Sequence, residues 1–289
     1  MDSSLARRAI DLLRKEGIII FLRAAKDFVI RRSKYPFFYL SRSFRFTDDY
    51  YNFSEEFYKK ICSFDTDRYT APLNPYKIVY TSPASISKVT RRPLPAFHPK
   101  PHLFGRVKGG DWDRRDGLTV RSEYEHENPN YREAAKVRHG STVFEDTILY
   151  KSFENHFINN CPWKDTQLYQ WYESGIYKPD KYKPNLKKRF KRYDRLYDEI
   201  KQKGYKTQSE LESWPFPWNL CEEIVVDIGR DGEFLFVNGR HRLAICKLLN
   251  LETIPVTISV RHKDWMSYRD EVWEQGLRTN HPDLEEFGQ

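Results

Sequence analysis

A chain of 289 residues, 39% of them hydrophobic and 16% aromatic, is long enough for a sizeable core and too apolar to be disordered by composition. Its four cysteines form no CxxC pair and no His–Cys cluster, which argues against a zinc site and a disulfide framework and suits a reducing compartment. A net charge of +8 and a pI near 9.1 direct attention to anionic partners.

The first element in chain order is a basic amphipath. Residues 5–32 place Leu5, Ile10, Leu13, Ile20, Phe21 and Phe28 among charges, with nine Lys/Arg against four Asp/Glu over residues 1–34. Gly17 divides the segment into two helical pieces. The apolar run 18–22 is too short for a signal peptide and no small-residue cleavage site follows it. Charges also recur too often for a membrane span. Three readings stay open: a helix on an anionic membrane surface through residues 1–34, a partner-binding helix, or a helix packed on its own domain. We expect a helical N-terminal arm to about residue 70.

Pro-rich residues 71–75 (APLNP) and 92–101 (RPLPAFHPKP) read as linkers, and residues 77–81 as a short strand. Residues 104–117, FGRVKGGDWDRRDG, join a Gly109, Gly110 turn to Asp111 and Asp113 around Trp112. Carboxylates at this spacing suit Mg²⁺, or a general base acting on a substrate hydroxyl. A polar turn anchored by Trp112 accounts for the same residues.

Residues 121–212 read as a mainly helical insertion. Glu123, Glu125, His126 and Glu127, with Arg138, His139, Glu154, His156 and Asp165, give it a polar content that matches no zinc spacing. The stretch 178–206 carries twelve Lys/Arg against four Asp/Glu. Leu186, Phe190, Tyr193 and Tyr197 fall on one helical stripe within it. Basic and aromatic groups together suit a nucleic acid or an acidic glycan, whereas an amphipathic helix with a solvated basic face explains them without any ligand.

The most informative stretch is 223–260, EIVVDIGRDGEFLFVNGRHRLAICKLLNLETIPVTISV. Strands are expected at 223–228 and 233–237, joined by a turn containing Asp231 and Gly232, a strong hairpin signal. Asn238 is placed to cap a helix that is regular from Leu243 to Leu249, with Cys246 in its buried face. A third strand is expected at 254–260. The chain thus passes from strand to helix through Gly239, Arg240, His241 and Arg242. A helix N-terminus attracts anions, glycine permits a close approach, and guanidinium groups match phosphate oxygens. These residues, with Asn238, are the expected phosphate site.

The run 237–244 (VNGRHRLA) followed by 248–256 (LLNLETIPV) resembles the ParB/sulfiredoxin superfamily over about residues 223–262, with a weaker echo at 77–86. The resemblance implies a small mixed α/β sheet and a Gly-x-x-Arg turn that binds nucleotide phosphates. Arg240 stands where sulfiredoxins carry a reactive cysteine and where ParB clamps carry a glutamate. Reduction of a sulfinic acid is therefore not expected, and residues 263–289 are too few for the helix-turn-helix of partition proteins. The superfamily's kinases of small hydroxyl-bearing metabolites lose least from these substitutions.

No GxxxxGK[ST], GxGxxG or GxSxG occurs, so P-loop, Rossmann and α/β-hydrolase readings lose their usual support. The expected architecture is an N-terminal arm, 1–70, and one ParB/sulfiredoxin-like α/β (α+β) domain, 71–289, carrying the helical insertion. The expected function is Mg-dependent phosphoryl transfer from a nucleotide (ATP, ADP or CTP) to a small acceptor, or nucleotide hydrolysis. Asn238, Gly239, Arg240, His241 and Arg242 would bind the cofactor. Asp111, Asp113 and His241 would be catalytic, with Asp111 and Asp113 holding Mg²⁺. The alternatives are a non-catalytic nucleic-acid-binding protein with weak nonspecific affinity, and a membrane-surface accessory protein of polysaccharide assembly. The expected location is cytoplasmic, peripheral at a membrane if residues 1–34 bind it.

Overall fold

A computed structural model describes residues 47–96, 103–127, 130–175, 183–212 and 214–287. The amphipath at 1–34 lies outside them. Among the described residues no helix is long and apolar enough to cross a membrane.

Six strands form one mixed sheet: β1 (Ile78–Thr81), β2 (Lys88–Val89), β3 (Arg106–Lys108), β4 (Ile224–Ile228), β5 (Phe234–Asn238) and β6 (Ile254–His262). The order is β1-β6-β4-β5-β2. β6 runs parallel to β4 on one edge. Its other edge is shared by β1, antiparallel opposite 254–257, and β3, parallel opposite 260–262. β4 and β5 are an antiparallel hairpin, and β2 closes the far edge parallel to β5. Every residue of β4 and β6 is buried, the polar Asp227, Thr257, Ser259, Arg261 and His262 included, so their apolar residues do not alternate with exposed polar ones.

Nine helices accompany the sheet among the described residues: α1 (Asp48–Ile61), α2 (Ser122–Glu127), α3 (Tyr131–His139), α4 (Ile148–Phe157), α5 (Gln167–Ser174), α6 (Leu186–Lys203), α7 (Trp218–Cys221), α8 (Arg240–Leu248) and α9 (Lys263–Gln275). The expected helical middle region is α2 to α6. It packs onto the sheet through α8, which lies against α4 and α6. The apolar stripe of α6 supplies core residues, with Leu186, Phe190 and Tyr193 buried and Tyr197 stacked on Phe157 at 4.1 Å.

A second, aromatic core ties the described part of the N-terminal arm to the sheet. Tyr58 of α1 meets Tyr76 and Phe216, and Phe64 meets Tyr76. This core spans residue 70. The start of the Pro-rich stretch 92–101 is likewise built into the sheet. Arg92 is buried and gives a two-pronged contact to Asp227 of β4, Nε to Oδ2 at 2.6 Å and Nη2 to Oδ1 at 2.8 Å. Thr90 and Ser259 donate to the same carboxylate at 2.7 and 2.6 Å.

Candidate functional site

β5 delivers the chain to α8 through Gly239, whose φ of 87° is left-handed. A Cβ there would stand 2.9 Å from Ile224 Cα and 3.0 Å from Glu223 O. Glycine is thus demanded by the crossing of β4, and the backbone it lets approach is the protein's own. Gly239 is also the helix N-cap, so Asn238 is not; Asn238 ends β5, and its amide donates to Cys221 O at 3.4 Å. Gly239 has no side chain to cap the first turn, whose N–H groups have no partner within the helix. That turn holds Arg240, His241 and Arg242 and no acid.

Facing this turn is α6. Between them lies a cavity of about 910 Å³, with Lys188, Arg189, Arg192 and Arg195 on the α6 wall and residues 238–242 on the other. Six Lys/Arg line it against two carboxylates, Glu199 and Glu222, and Gln208, Leu211 and Trp214 close one side. The basic helix and the basic turn, which look independent in sequence, share one cleft.

His241 joins the two walls by ring packing, with Tyr193 of α6 at 4.5 Å and Phe153 of α4 at 5.8 Å, both nearly parallel. Tyr193 accepts from Arg189 Nη1 at 3.1 Å. Burial, with Tyr172 nearby, pushes the Tyr193 phenol up to about 12 against the pull of Arg189 and Arg240, so it is neutral at ordinary pH. Arg242 lies 5.9 Å from the centre of the Tyr205 ring. Tyr205 in turn donates to Glu223 at 2.8 Å. Burial raises both Glu222 and Glu223 above the usual carboxylate range, and Arg242 opposes the shift in each. Glu222, half-buried, lines the cleft.

Asp111 and Asp113 are not in this cleft. They sit at the hairpin end of β5, a strand length of about 17 Å from the Gly239 turn. Both belong to Arg230: its Nε and Nη2 reach Asp113 at 2.9 and 2.8 Å, and Nη2 reaches Asp111 at 2.7 Å. Asp113 also accepts the Arg230 backbone N–H at 3.0 Å. Burial works against ionising Asp113, but these bonds outweigh it and hold the carboxyl at about 2. Both carboxylates are thus engaged by one guanidinium, at the opposite end of β5 from the Gly239 turn. Trp112 anchors the loop, buried, with its indole N–H donating to Lys108 O at 3.2 Å. Among the described residues no three His, Cys, Asp or Glu side chains are grouped to hold a metal ion. Cys246 is buried in α8 as expected, and burial raises its thiol to about 12.

Sequence reasoning missed Glu222, Gln208, Leu211 and Trp214, which enter the cleft from the connection between α6 and β4. One signal was present: α6 and α8 both begin with cations and no acid, the reverse of what a helix dipole favours. Comparison with known proteins finds no family model, no curated protein and no solved structure that matches the chain.

Proposed function

We propose that the protein binds a nucleotide in this cleft, with its phosphates against Arg189, Arg192, Arg240 and Arg242, and serves phosphoryl transfer to a small hydroxyl-bearing acceptor or hydrolysis of the nucleotide. The observation that carries the reading is the convergence of α6 and the first turn of α8 on one cavity of about 910 Å³. That volume lies at the upper end of small-ligand sites, roughly 300–1,000 Å³, and leaves room for an acceptor beside a nucleotide. Two helix N-termini and an excess of guanidinium groups supply the charge stabilisation that phosphoryl transfer chiefly asks of a protein. Glu222 is a carboxylate inside the cleft whose raised pKa suits it to take an acceptor proton. The ParB/sulfiredoxin-like pattern of residues 223–262 points the same way, since the strand, glycine turn and helix it implies are the elements that build one wall.

Calorimetric titration with ATP, ADP, CTP and GTP, with and without Mg²⁺, tests the reading. One of them should bind, and Arg240→Ala should weaken it about 10-fold or more, as removal of a charge-assisted bond worth about 1.5–3 kcal/mol requires. Unchanged affinity in a folded variant would remove the site. A second reading, nonspecific nucleic-acid binding, draws on Lys187 and Lys191, which are exposed on α6 outside the cleft. It requires an affinity for single strands that falls steeply with salt and survives Arg240→Ala.

A further inference from the structure

A second cavity, of about 240 Å³, opens beside the basic cleft. Leu196 and Ile200 of α6, Tyr205 and Leu211 give it an apolar interior. Lys203 and Lys206 stand among its polar residues. Leu196, Glu199, Leu211 and Arg242 line both cavities, so the two share a wall. The geometry points to one ligand spanning them: the base of the nucleotide occupies the apolar cavity, while its phosphates lie on the arginines of the cleft and Arg242 stands at the junction.

Three observations select this occupant. The cavity is smaller than a whole-ligand site of roughly 300–1,000 Å³, so it takes part of a ligand. Its continuity with a cleft of six Lys/Arg says that the remainder is anionic. Its lining also holds Glu199, Lys203 and Lys206, groups that can meet the polar edge of a heterocycle, whereas the tail of a phospholipid needs a longer and wholly apolar channel. The wall is also built to keep its shape. Tyr205 is fastened to Glu223, which accepts a second hydrogen bond from the Gln208 backbone N–H.

This inference rests on the cleft being a phosphate site, and the experiment separates the two. Affinities are measured for inorganic triphosphate, for ATP, CTP, GTP and UTP, and for octyl phosphate, on the wild-type full chain and on two variants of Leu211. That side chain is 50% exposed, so its replacement spares the core. Leu211→Trp fills the shared mouth and Leu211→Ala removes an apolar wall. At least one nucleotide should bind 10-fold or more tightly than triphosphate. Both variants should erase most of that advantage, read as the ratio of nucleotide to triphosphate affinity in the same protein, and a ratio unchanged in both would overturn the base subsite. Triphosphate binding as tightly as every nucleotide would overturn the base subsite and leave the phosphate site standing. A preference for octyl phosphate over every nucleotide would overturn it in favour of a lipid phosphate. If neither nucleotides nor triphosphate bind, the cleft reading falls and this inference with it.

Discussion

Arginine does opposite work at the two ends of β5. At the hairpin end Arg230 is enclosed by Asp111 and Asp113, and nearby Arg261 and Arg269 both hold the buried Asp283, Arg261 Nη2 at 2.6 Å and Arg269 Nη1 at 3.0 Å. Each guanidinium there meets a carboxylate of the protein. At the α8 end six basic side chains share a cavity with two glutamates, and two helices begin with cations that their own dipoles oppose. Charge that is matched within the chain holds the fold together. Charge left in excess around a cavity costs stability, a local conflict of the kind expected at functional sites.

α1 shows what an unfrustrated helix of this protein looks like. Asp48 and Asp49 lie in its first turn, Lys59 and Lys60 in its last, and Thr47 caps it by accepting from the Tyr50 N–H at 3.3 Å. Its charges agree with its dipole throughout. α6 and α8 depart from that pattern on the two facing walls of the cleft, with cations and no acid in their first turns.

The largest effect should follow from breaking matched charge in the core. Asp227→Ala leaves the Arg92 guanidinium buried without its carboxylate and strips Thr90 and Ser259 of their shared acceptor. Loss of one partner of a buried pair costs about 3–5 kcal/mol, a large part of a typical stability of about 5–15 kcal/mol. Denaturant titration should show this loss, with nucleotide affinity per folded molecule unchanged. If Asp227→Ala weakened the nucleotide and spared stability, the division between building and binding charge would be wrong.

How much of this could be read from residues alone follows the same division. The strands expected at 223–228, 233–237 and 254–260 and the helix expected from Leu243 to Leu249 were legible because their β-branched, aromatic and helical apolar positions stop at Gly232, Gly239 and Asn250; the structure has them at 224–228, 234–238, 254–262 and 240–248. β2 and β3 were not, since strands of two and three residues carry no period and exist only because β5 and β6 offer an edge. The Asp113 and Arg230 pair joins residues 117 apart. In the sequence Asp111 and Asp113 stand as carboxylates beside a Gly-Gly turn, a pattern that suits Mg²⁺ or a general base, and nothing local points to Arg230. The cleft was half legible. Its two basic walls stood out by composition, but that they face each other depends on Tyr193 and Phe153 stacking on His241, which no local pattern encodes.

A smaller, pH-dependent effect should mark Asp113. Its folded-state pKa of about 2 lies below the ordinary 3.8. A depressed carboxyl contributes stability that is fully present above the ordinary value and is lost as pH falls through the folded one. Wild type should therefore shed this contribution between about pH 4 and pH 2. Asp113→Asn lacks it at every pH, so the variant should be less stable at pH 7 and the gap should close below pH 4. Urea midpoints at pH 7, 4, 3 and 2 measure this. Nucleotide turnover by folded Asp113→Asn should equal wild type. Turnover abolished at full stability would return Asp113 to the catalytic role that its spacing first suggested.

The smallest expected change in stability is the one that most sharpens the contrast. Lys188 is exposed, sits in the first turn of α6 and lines the cleft. Lys188→Glu replaces a cation at the positive end of a helix dipole with an anion, which favours the helix by about 0.3–1 kcal/mol at an exposed position. It also removes one of six like charges around the cavity. The free protein should thus melt at the same temperature or slightly higher, while the rise in melting temperature produced by nucleotide should shrink, because stabilisation by a ligand follows its affinity for the folded state. The two shifts have opposite signs, and no purely structural role for Lys188 yields both. At the hairpin end the corresponding charge reversal, Asp111→Lys, places a cation against Arg230 and should lower stability without touching the nucleotide. If Lys188→Glu destabilised the free protein and left ligand-induced stabilisation intact, the cations of α6 would be structural after all, and the two ends of β5 would differ only in exposure.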